Sequence, residues 1–285
     1  MSSRWEDVWQ KGIAPGDMFD AKVPLPFIAK LFEKDHLVPN GSGLVPGCGR
    51  GYAVQAFARG DRHVTGLDLA PTATAAAKAF LDQQVADGSL EARFSVKTGS
   101  FFDLPSAEGG VYDFAYDYTF LCALPPTLRQ DWASTYQRLL KPGGALITVV
   151  FPITASKPPS SGPPYPLTEH LVADLLEPLG FTAVFRQKLG PGEAHAGRDG
   201  SETAMGATAI IVWKKNISTA ANGETATTTA TTTTNSGASH DAAGGGGGGS
   251  DSAAAADGTD SVVVVDGGDA GAGVGVNATT TDEAE

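Results

Sequence analysis

Apolar and polar positions over the first 215 residues follow two periods in turn. Between Arg4 and Lys11, Trp5, Val8 and Trp9 recur at i, i+3 and i+4, one face of a short helix. A second helix follows Pro24-Leu25-Pro26 and carries Phe27, Ile28, Leu31 and Phe32. Leu44-Val45 reads as a short apolar strand that runs into a helix with Ala53, Phe57 and Ala58 on one face. The strand His63–Leu67 ends on Asp68, and an alanine-rich helix runs from Pro71 to about Ala86, its proline in the first turn. Glu91–Lys97 alternates through Ala92, Phe94 and Val96 as a third strand, and Val111–Asp117 is a fourth. A helix from about Thr127 to Leu140 meets a stop signal in Lys141-Pro142-Gly143-Gly144. Ala145–Phe151 is apolar except for Thr148, as a parallel strand buried on both faces requires. A Pro/Gly/Ser-rich loop at 152–166 precedes a helix, Thr168–Leu179, closed by Gly180. Phe181–Lys188 and Ala207–Lys215 are the last strands, with a long polar loop, 190–205, between them.

Strands alternating with helices, then two closing strands, predict an α/β fold. The expected form is a doubly wound, mostly parallel, seven-stranded Rossmann-like sheet with right-handed connections. Ligands of such sheets sit at the carboxyl ends of the strands near the point where strand order reverses. The helix carrying Trp5 and Trp9 either packs on the core or forms a lid that closes over a ligand.

Charge divides the chain. The net charge is −12, yet residues 1–215 hold 20 Lys+Arg against 22 Asp+Glu, whereas residues 216–285 hold 10 acidic residues and no Lys or Arg. The near-neutral part offers no basic stripe for nucleic acid. From Asn216 onward the chain is Ala, Thr and Gly with scattered acid, too poor in apolar side chains to offset its ordering entropy. The expected organisation is a folded domain, 1–215, and a disordered acidic tail, 216–285. Two cysteines, Cys48 and Cys122, make no disulfide framework, and the five histidines show no metal-ligand spacing. The segment Met1-Ser2-Ser3-Arg4-Trp5-Glu6 lacks a leader's apolar core, and no run approaches the about 18 apolar residues of a membrane span. The expectation is a cytoplasmic, monomeric protein with no membrane or nucleic-acid partner and no metal.

The chemistry gathers at Leu44-Val45-Pro46-Gly47-Cys48-Gly49-Arg50-Gly51-Tyr52. Glycines at a strand-to-helix turn let the backbone approach a ligand, and the new helix presents unpaired N–H groups. Asp68, 21 positions after Gly47 at the end of the next strand, suits the two hydroxyls of a ribose. The dinucleotide fingerprint places glycines at G-x-G-x-x-G; here they fall at G-x-G-x-G, a spacing more typical of S-adenosylmethionine sites. Gly47–Gly51, Asp68, Ser100–Phe101 and Tyr118 all fall at strand carboxyl ends. A dehydrogenase of the same topology and a non-catalytic cofactor-binding protein are the competing classes, and the glycine spacing and paired tryptophans weigh against the first. Cys122 has no basic partner close in sequence and reads as a packed residue. Asp117 either orients the substrate or caps the turn after its strand, and the cap is the favoured reading.

Trp5-Glu6-x-x-Trp9, the segment Leu44 to Tyr52, Gly66-Leu67-Asp68, the segment Tyr116 to Leu124, Leu139 to Gly144 and Gly162-Pro163-Pro164-Tyr165 occur in that order. Together they resemble the thiopurine methyltransferase superfamily, and most closely its branch of thiol and halide methyltransferases, over roughly residues 4–215. The resemblance implies a class I methyltransferase fold and S-adenosyl-L-methionine as cofactor. It implies that Trp5 and Trp9 cover the cofactor, that Gly47 and Gly49 lie against its methionine part and that Asp68 holds its ribose. Ser100 and Phe101 would flank the adenine, and Tyr118 would stand near the methyl group. The substrate would be a small anionic or thiol nucleophile, methylated in line and without a general base. Two positions depart from the family. Gly16 follows Pro15 where a third tryptophan is common, and Ser100 stands where Asp is common.

Overall fold

The computed structural model describes residues 4–34, 36–154, 157–195 and 207–217. In chain order these form α1 (Arg4–Gln10), α2 (Phe27–Phe32), β1 (Gly41–Pro46), α3 (Tyr52–Phe57), β2 (Arg62–Asp68), α4 (Pro71–Ala86), β3 (Phe94–Thr98), β4 (Tyr112–Tyr118), α5 (Arg129–Leu139), β5 (Leu140–Ile153), α6 (Glu169–Leu176), β6 (Phe181–Leu189) and β7 (Ala207–Lys215). The strands make one seven-stranded sheet of order β3-β2-β1-β4-β5-β7-β6. Neighbours from β3 to β5 are parallel, and β7 lies antiparallel between β5 and β6. Strand order reverses between β1 and β4, so a crevice opens beyond their carboxyl ends.

The period-2 alternation sorts side chains to two cores. Phe114 and Tyr116 of β4, Ile147 and Val149 of β5, and Ile210 and Val212 of β7 face α2, α3 and α4. Ala115, Leu146, Val150, Ile211 and Trp213 face the other way, against Trp132, Tyr136 and Leu139 of α5 and Val172 and Leu176 of α6. Each central strand is apolar on both sides because helices cover both.

Among the boundaries that differ from the sequence expectation, two stand out. Lys141-Pro142-Gly143-Gly144 does not separate α5 from the next strand. The helix ends at Leu139, and these residues lie inside β5 as an irregularity, between the pairs Tyr112↔Leu140 and Phe114↔Ala145. Gly144 is required there, since a Cβ would come 2.8 Å from the Lys141 carbonyl oxygen and 3.0 Å from that of Asp113. The second difference is that β3 starts at Phe94 and not at Glu91.

The amino-terminal helix is fastened to α4. The first backbone N–H groups of a helix lack internal partners, and Ala70, at the cap of α4, offers no side-chain acceptor. Glu6 of α1 supplies one from a distance, accepting from the Thr72 N–H at 3.0 Å and the Thr72 hydroxyl at 2.7 Å. Trp9 and Ile13 then pack on Ala70 and Ala73. No helix of the described residues is long and apolar enough to cross a membrane. The polar loop expected after Gly190 is described as far as His195, and the tail reading from Ser218 onward lies outside the described residues.

Candidate active site

The turn after β1 is built from left-handed backbone. Gly47, Gly49 and Gly51 have φ of 60°, 52° and 91°, a region that residues with a Cβ rarely enter. A Cβ on Gly47 would stand 2.8 Å from the Phe120 ring, and one on Gly49 would meet Trp9 at 3.6 Å. The turn is therefore a shallow backbone cradle between an aromatic ring from the end of β4 and an indole from α1. Cys48 turns inward, where its sulfur packs on Gly66.

Asp68 closes the cradle from β2. One carboxylate oxygen accepts from the Gly49 N–H at 3.1 Å and the other from the Ala70 N–H at 3.0 Å. Each oxygen keeps a lone pair for a further donor. Burial raises its pKa above the ordinary aspartate value; the amides of Ala70, Gly49 and Leu69 oppose the rise, and the Glu6 charge adds to it. The next side chain, Leu69, is 48% exposed and offers an apolar platform beside the carboxylate.

The amino-terminal segment carries a hub that the sequence did not reveal. Asp20, buried, accepts from Arg50 Nε at 2.7 Å, the Tyr52 hydroxyl at 3.0 Å, the Lys22 N–H at 3.0 Å and the Gly16 N–H at 3.2 Å. Burial alone would raise the Asp20 carboxyl, but these donors outweigh it and hold its pKa below the usual aspartate value. Arg50 also donates to the Ile13 carbonyl at 2.6 Å and lies 5.6 Å from the Trp9 ring centroid, so that indole already carries a cation. Phe19 packs edge-on against both Trp5 (5.7 Å) and Trp9 (5.8 Å). It adds a third aromatic ring to the two indoles. Gly16 itself has φ of 95°, and the Lys22 stem fills the space its Cβ would take. A tryptophan at 16 therefore requires this loop to rearrange, so glycine answers a backbone demand and is more than a missing indole.

From β3, Ser100 is half-buried, while the Phe101 ring is buried against Phe120 (5.1 Å), Phe102 (5.5 Å) and Tyr136 (4.8 Å). Only the backbone of Phe101 is left to meet a ligand. Through Phe120 the ends of β1, β3 and β4 touch, and through Gly49 that of β2 joins them.

Tyr118 stands in a second cluster. Its ring meets Phe151 edge-on at 6.0 Å and lies nearly parallel to the His195 ring, at 5.7 Å and 17°. Burial raises its pKa, with Cys122 adding to the rise. Thr119, which follows, has φ of 59°, a strained conformation for a β-branched residue and one that collects at functional sites. Cys122 is buried, and burial with the nearby Asp117 charge pushes its thiol up to about 12, so it is no nucleophile near neutral pH. Asp117 caps the turn through the Leu121 N–H at 3.1 Å and, beyond that, accepts from Trp132 Nε1 at 2.7 Å and the Tyr136 hydroxyl at 2.9 Å.

Arg129, at the start of α5, escaped sequence reasoning because nothing in its spacing marks it. It is 6% exposed, donates to the Pro166 carbonyl at 3.2 Å, and its Nε has no hydrogen-bond partner. It lines a cleft of about 420 Å³ with Pro126, Thr127, Thr168, His170 and Asp174. Among the described residues no carboxylate forms an ion pair with it, and no group of three His, Cys, Asp or Glu side chains could hold a metal ion.

A backbone cradle, a buried carboxylate with free lone pairs and an apolar platform suit an amino acid, a ribose and a base in that order. On this sheet they define a class I S-adenosylmethionine-dependent methyltransferase. Solved structures sharing the fold include the N-methyltransferase NodS from Bradyrhizobium japonicum with S-adenosylhomocysteine (TM-score 0.52, 14% identity, 75% of this chain and 99% of that one). Another is magnesium protoporphyrin IX methyltransferase from Synechocystis, also with S-adenosylhomocysteine (TM-score 0.54, 18% identity, 75% of this chain and 96% of that one). The family described as Thiopurine S-methyltransferase (TPMT) matches residues 1–194, and the chain belongs to it. A probable thiol methyltransferase 2 of Arabidopsis thaliana is 44% identical over 184 residues, 64% of this chain and 75% of the relative. Thiocyanate methyltransferase 1 of Brassica oleracea is 37% identical over 181 residues, 63% of this chain and 74% of that relative. The protein is an S-adenosylmethionine-dependent S-methyltransferase, and S-adenosylmethionine is its cofactor.

Proposed function

We propose that the enzyme methylates a small sulfur nucleophile, such as a thiol, hydrosulfide or thiocyanate, or a halide, by in-line displacement. The observation that carries this reading is Arg129: a buried cation with no carboxylate partner among the described residues, close enough to Cys122, in the turn that follows Tyr118, for the two to interact electrostatically. A buried charge without a counter-ion is unfavourable, and an anionic nucleophile removes the deficit. The thiol and thiocyanate methyltransferases among the relatives support the same substrate class.

When bound, S-adenosylmethionine supplies a methyl group on a sulfonium centre. Asp68 accepts from the ribose hydroxyls, Gly47 and Gly49 admit the methionine part, and Ser100 and the Phe101 backbone flank the adenine. Trp5, Trp9 and Phe19 exclude water, and Tyr118 fixes the approach of the nucleophile. Alignment of two partners supplies effective molarities of about 10⁵–10⁸ M, which an anionic nucleophile uses without proton transfer. A headspace assay with hydrosulfide, thiocyanate and iodide is expected to yield methanethiol, methyl thiocyanate and methyl iodide with matching S-adenosylhomocysteine. Tight cofactor binding with no volatile product from any of them would reject the reading.

Two further outcomes follow from the lid and the domain boundary. Phe19→Ala removes two edge-to-face contacts, each worth about 0.5–1.5 kcal/mol. It should lower Tm by a few degrees and raise the calorimetric Kd for S-adenosylhomocysteine several-fold; an unchanged Kd would mean that Phe19 plays no part in covering the cofactor. We also propose that catalysis resides in the domain expected at 1–215 and that the enzyme is a cytoplasmic monomer. The described fold continues a little further, since the Asn216 N–H donates to the Gly180 carbonyl at 2.8 Å. Removing residues 218–285 should leave Tm and kcat nearly unchanged; a fall of several degrees would show that the tail supports the domain.

A further inference from the structure

We propose that His195 accepts the proton of a neutral thiol held against Tyr118, which makes protonated organic thiols substrates alongside permanently anionic nucleophiles. The inference rests on the S-methyltransferase reading above and adds a residue that neither the glycine turn nor the tryptophans indicate.

The backbone that carries His195 is pinned from two sides. The Glu193 carbonyl accepts from the Phe27 N–H of α2 at 3.1 Å, and the Ala194 N–H returns to the Gly190 carbonyl at 3.2 Å. Glu193 is further tied to Lys30 at 2.7 Å, and Ala194 is buried. The imidazole is thereby laid over the Tyr118 ring, nearly parallel, at 5.7 Å. Tyr118 is itself held edge-on by Phe151 at 6.0 Å and Tyr116 at 6.5 Å. Among the described residues, neither the Tyr118 hydroxyl nor an imidazole nitrogen has a hydrogen-bond partner, and both residues are only partly buried. Two fixed rings with open polar ends, at the carboxyl end of β4, suit a small ligand that has a proton to give.

The protonation states agree. Burial lowers the His195 pKa, so the ring is neutral at pH 7 and can accept. The facing Tyr118 phenol, from β4, is raised by burial and stays neutral, as does the Cys122 thiol behind it. On the loop itself Glu193 is engaged by Lys30 of α2, by Gln187 of β6 and by the Gly190 N–H. Burial is the one cause of the shift in His195, with no neighbouring charge contributing to it.

The step balances without a further reagent. The S–H proton passes to an imidazole nitrogen while the thiol sulfur forms its bond to the methyl carbon. The bond from that carbon to the donor's sulfonium sulfur breaks, its electron pair remaining on the sulfur. The products are a thioether, S-adenosylhomocysteine and an imidazolium that returns its proton to water. Thiocyanate and iodide have no proton to lose and bypass the base.

The test compares full-length wild type and His195→Gln with benzyl mercaptan and with thiocyanate, after Tm and S-adenosylhomocysteine affinity have shown that the variant is folded. A positioned base contributes about 10²–10⁴-fold, so the variant should lose at least roughly 100-fold more kcat/KM for the thiol than for thiocyanate at pH 7. Its thiol rate should rise about tenfold per pH unit up to the thiol's own pKa, while the wild-type rate levels off at lower pH. Added imidazole should restore thiol turnover in His195→Gly. In the cofactor-free wild type, the His195 ring protons should shift in NMR spectra when benzyl mercaptan is added. Equal losses for both substrates would reduce His195 to a packing partner of Tyr118, and no loss for either would overturn the proposal outright. A wild type that methylates neither compound would instead overturn the functional reading, and this proposal with it.

Discussion

Asp117→Ala is expected to be the most destabilising single substitution in the site region. The carboxylate is 2% exposed and takes three donors, the Leu121 N–H, Trp132 Nε1 and the Tyr136 hydroxyl. Alanine leaves all three buried without a partner, each at about 1–3 kcal/mol. A loss of roughly 3–9 kcal/mol would remove much of the about 5–15 kcal/mol that typical domains possess. Asparagine keeps the shape but presents an amide where one oxygen accepts, so it should recover only part of the loss. Chemical denaturation of the two variants checks both statements. A midpoint for Asp117→Ala close to wild type would mean that water or a rearranged turn satisfies the freed donors. Because Asp117 orders the turn between Tyr118 and Arg129, surviving protein should also lose turnover before it loses cofactor affinity.

Asp68→Ala is expected to weaken S-adenosylmethionine binding by about 1.5–3 kcal/mol, the range of a hydrogen bond to a charged group. That is roughly a 10- to 150-fold rise in Kd, read by calorimetry. The fold should persist, since the Gly49 and Ala70 amides that Asp68 accepts lie next to the ligand crevice. Acidification should act like the substitution. Burial raises the Asp68 pKa, so the acceptor is present above that raised value and is lost as pH falls through it. Affinity should therefore start to fall at a pH above the ordinary aspartate range of about 4, and Asp68→Asn should abolish that dependence. An affinity that ignores both the substitution and the pH would place the ribose elsewhere.

Much of the architecture was legible because the two hydrophobic periods are long and uninterrupted. The apolar run Ala145–Phe151 and the alanine-rich stretch after Pro71 each admit one element, and both stand where expected. The Lys141-Pro142-Gly143-Gly144 segment misled because proline and glycine signal a break in chain direction, whereas here they accommodate a shift in pairing within β5. The glycine turn and Asp68 announced themselves by residue type and position. Asp20 did not, since its partner Arg50 is 30 residues away and only the folded amino-terminal segment brings them together. Arg129 and His195 were hidden for a related reason. Their meaning lies in burial and in the neighbours they lack or stack upon, and neither quantity is written in local sequence. Gly16 is the reverse case: its departure from the family was visible, but its left-handed backbone was not.

The most direct measurement is a crystal structure of the full chain with S-adenosylhomocysteine and thiocyanate. Both ribose hydroxyls should lie within about 2.5–3.0 Å of the Asp68 carboxylate oxygens, the distance range of an O–H···O hydrogen bond. The homocysteine should lie along Gly47 and Gly49, and the thiocyanate should stand between Tyr118 and Arg129 in line with the cofactor sulfur. A nucleoside away from Asp68, or a thiocyanate that makes no contact with the Arg129 guanidinium, would contradict the account.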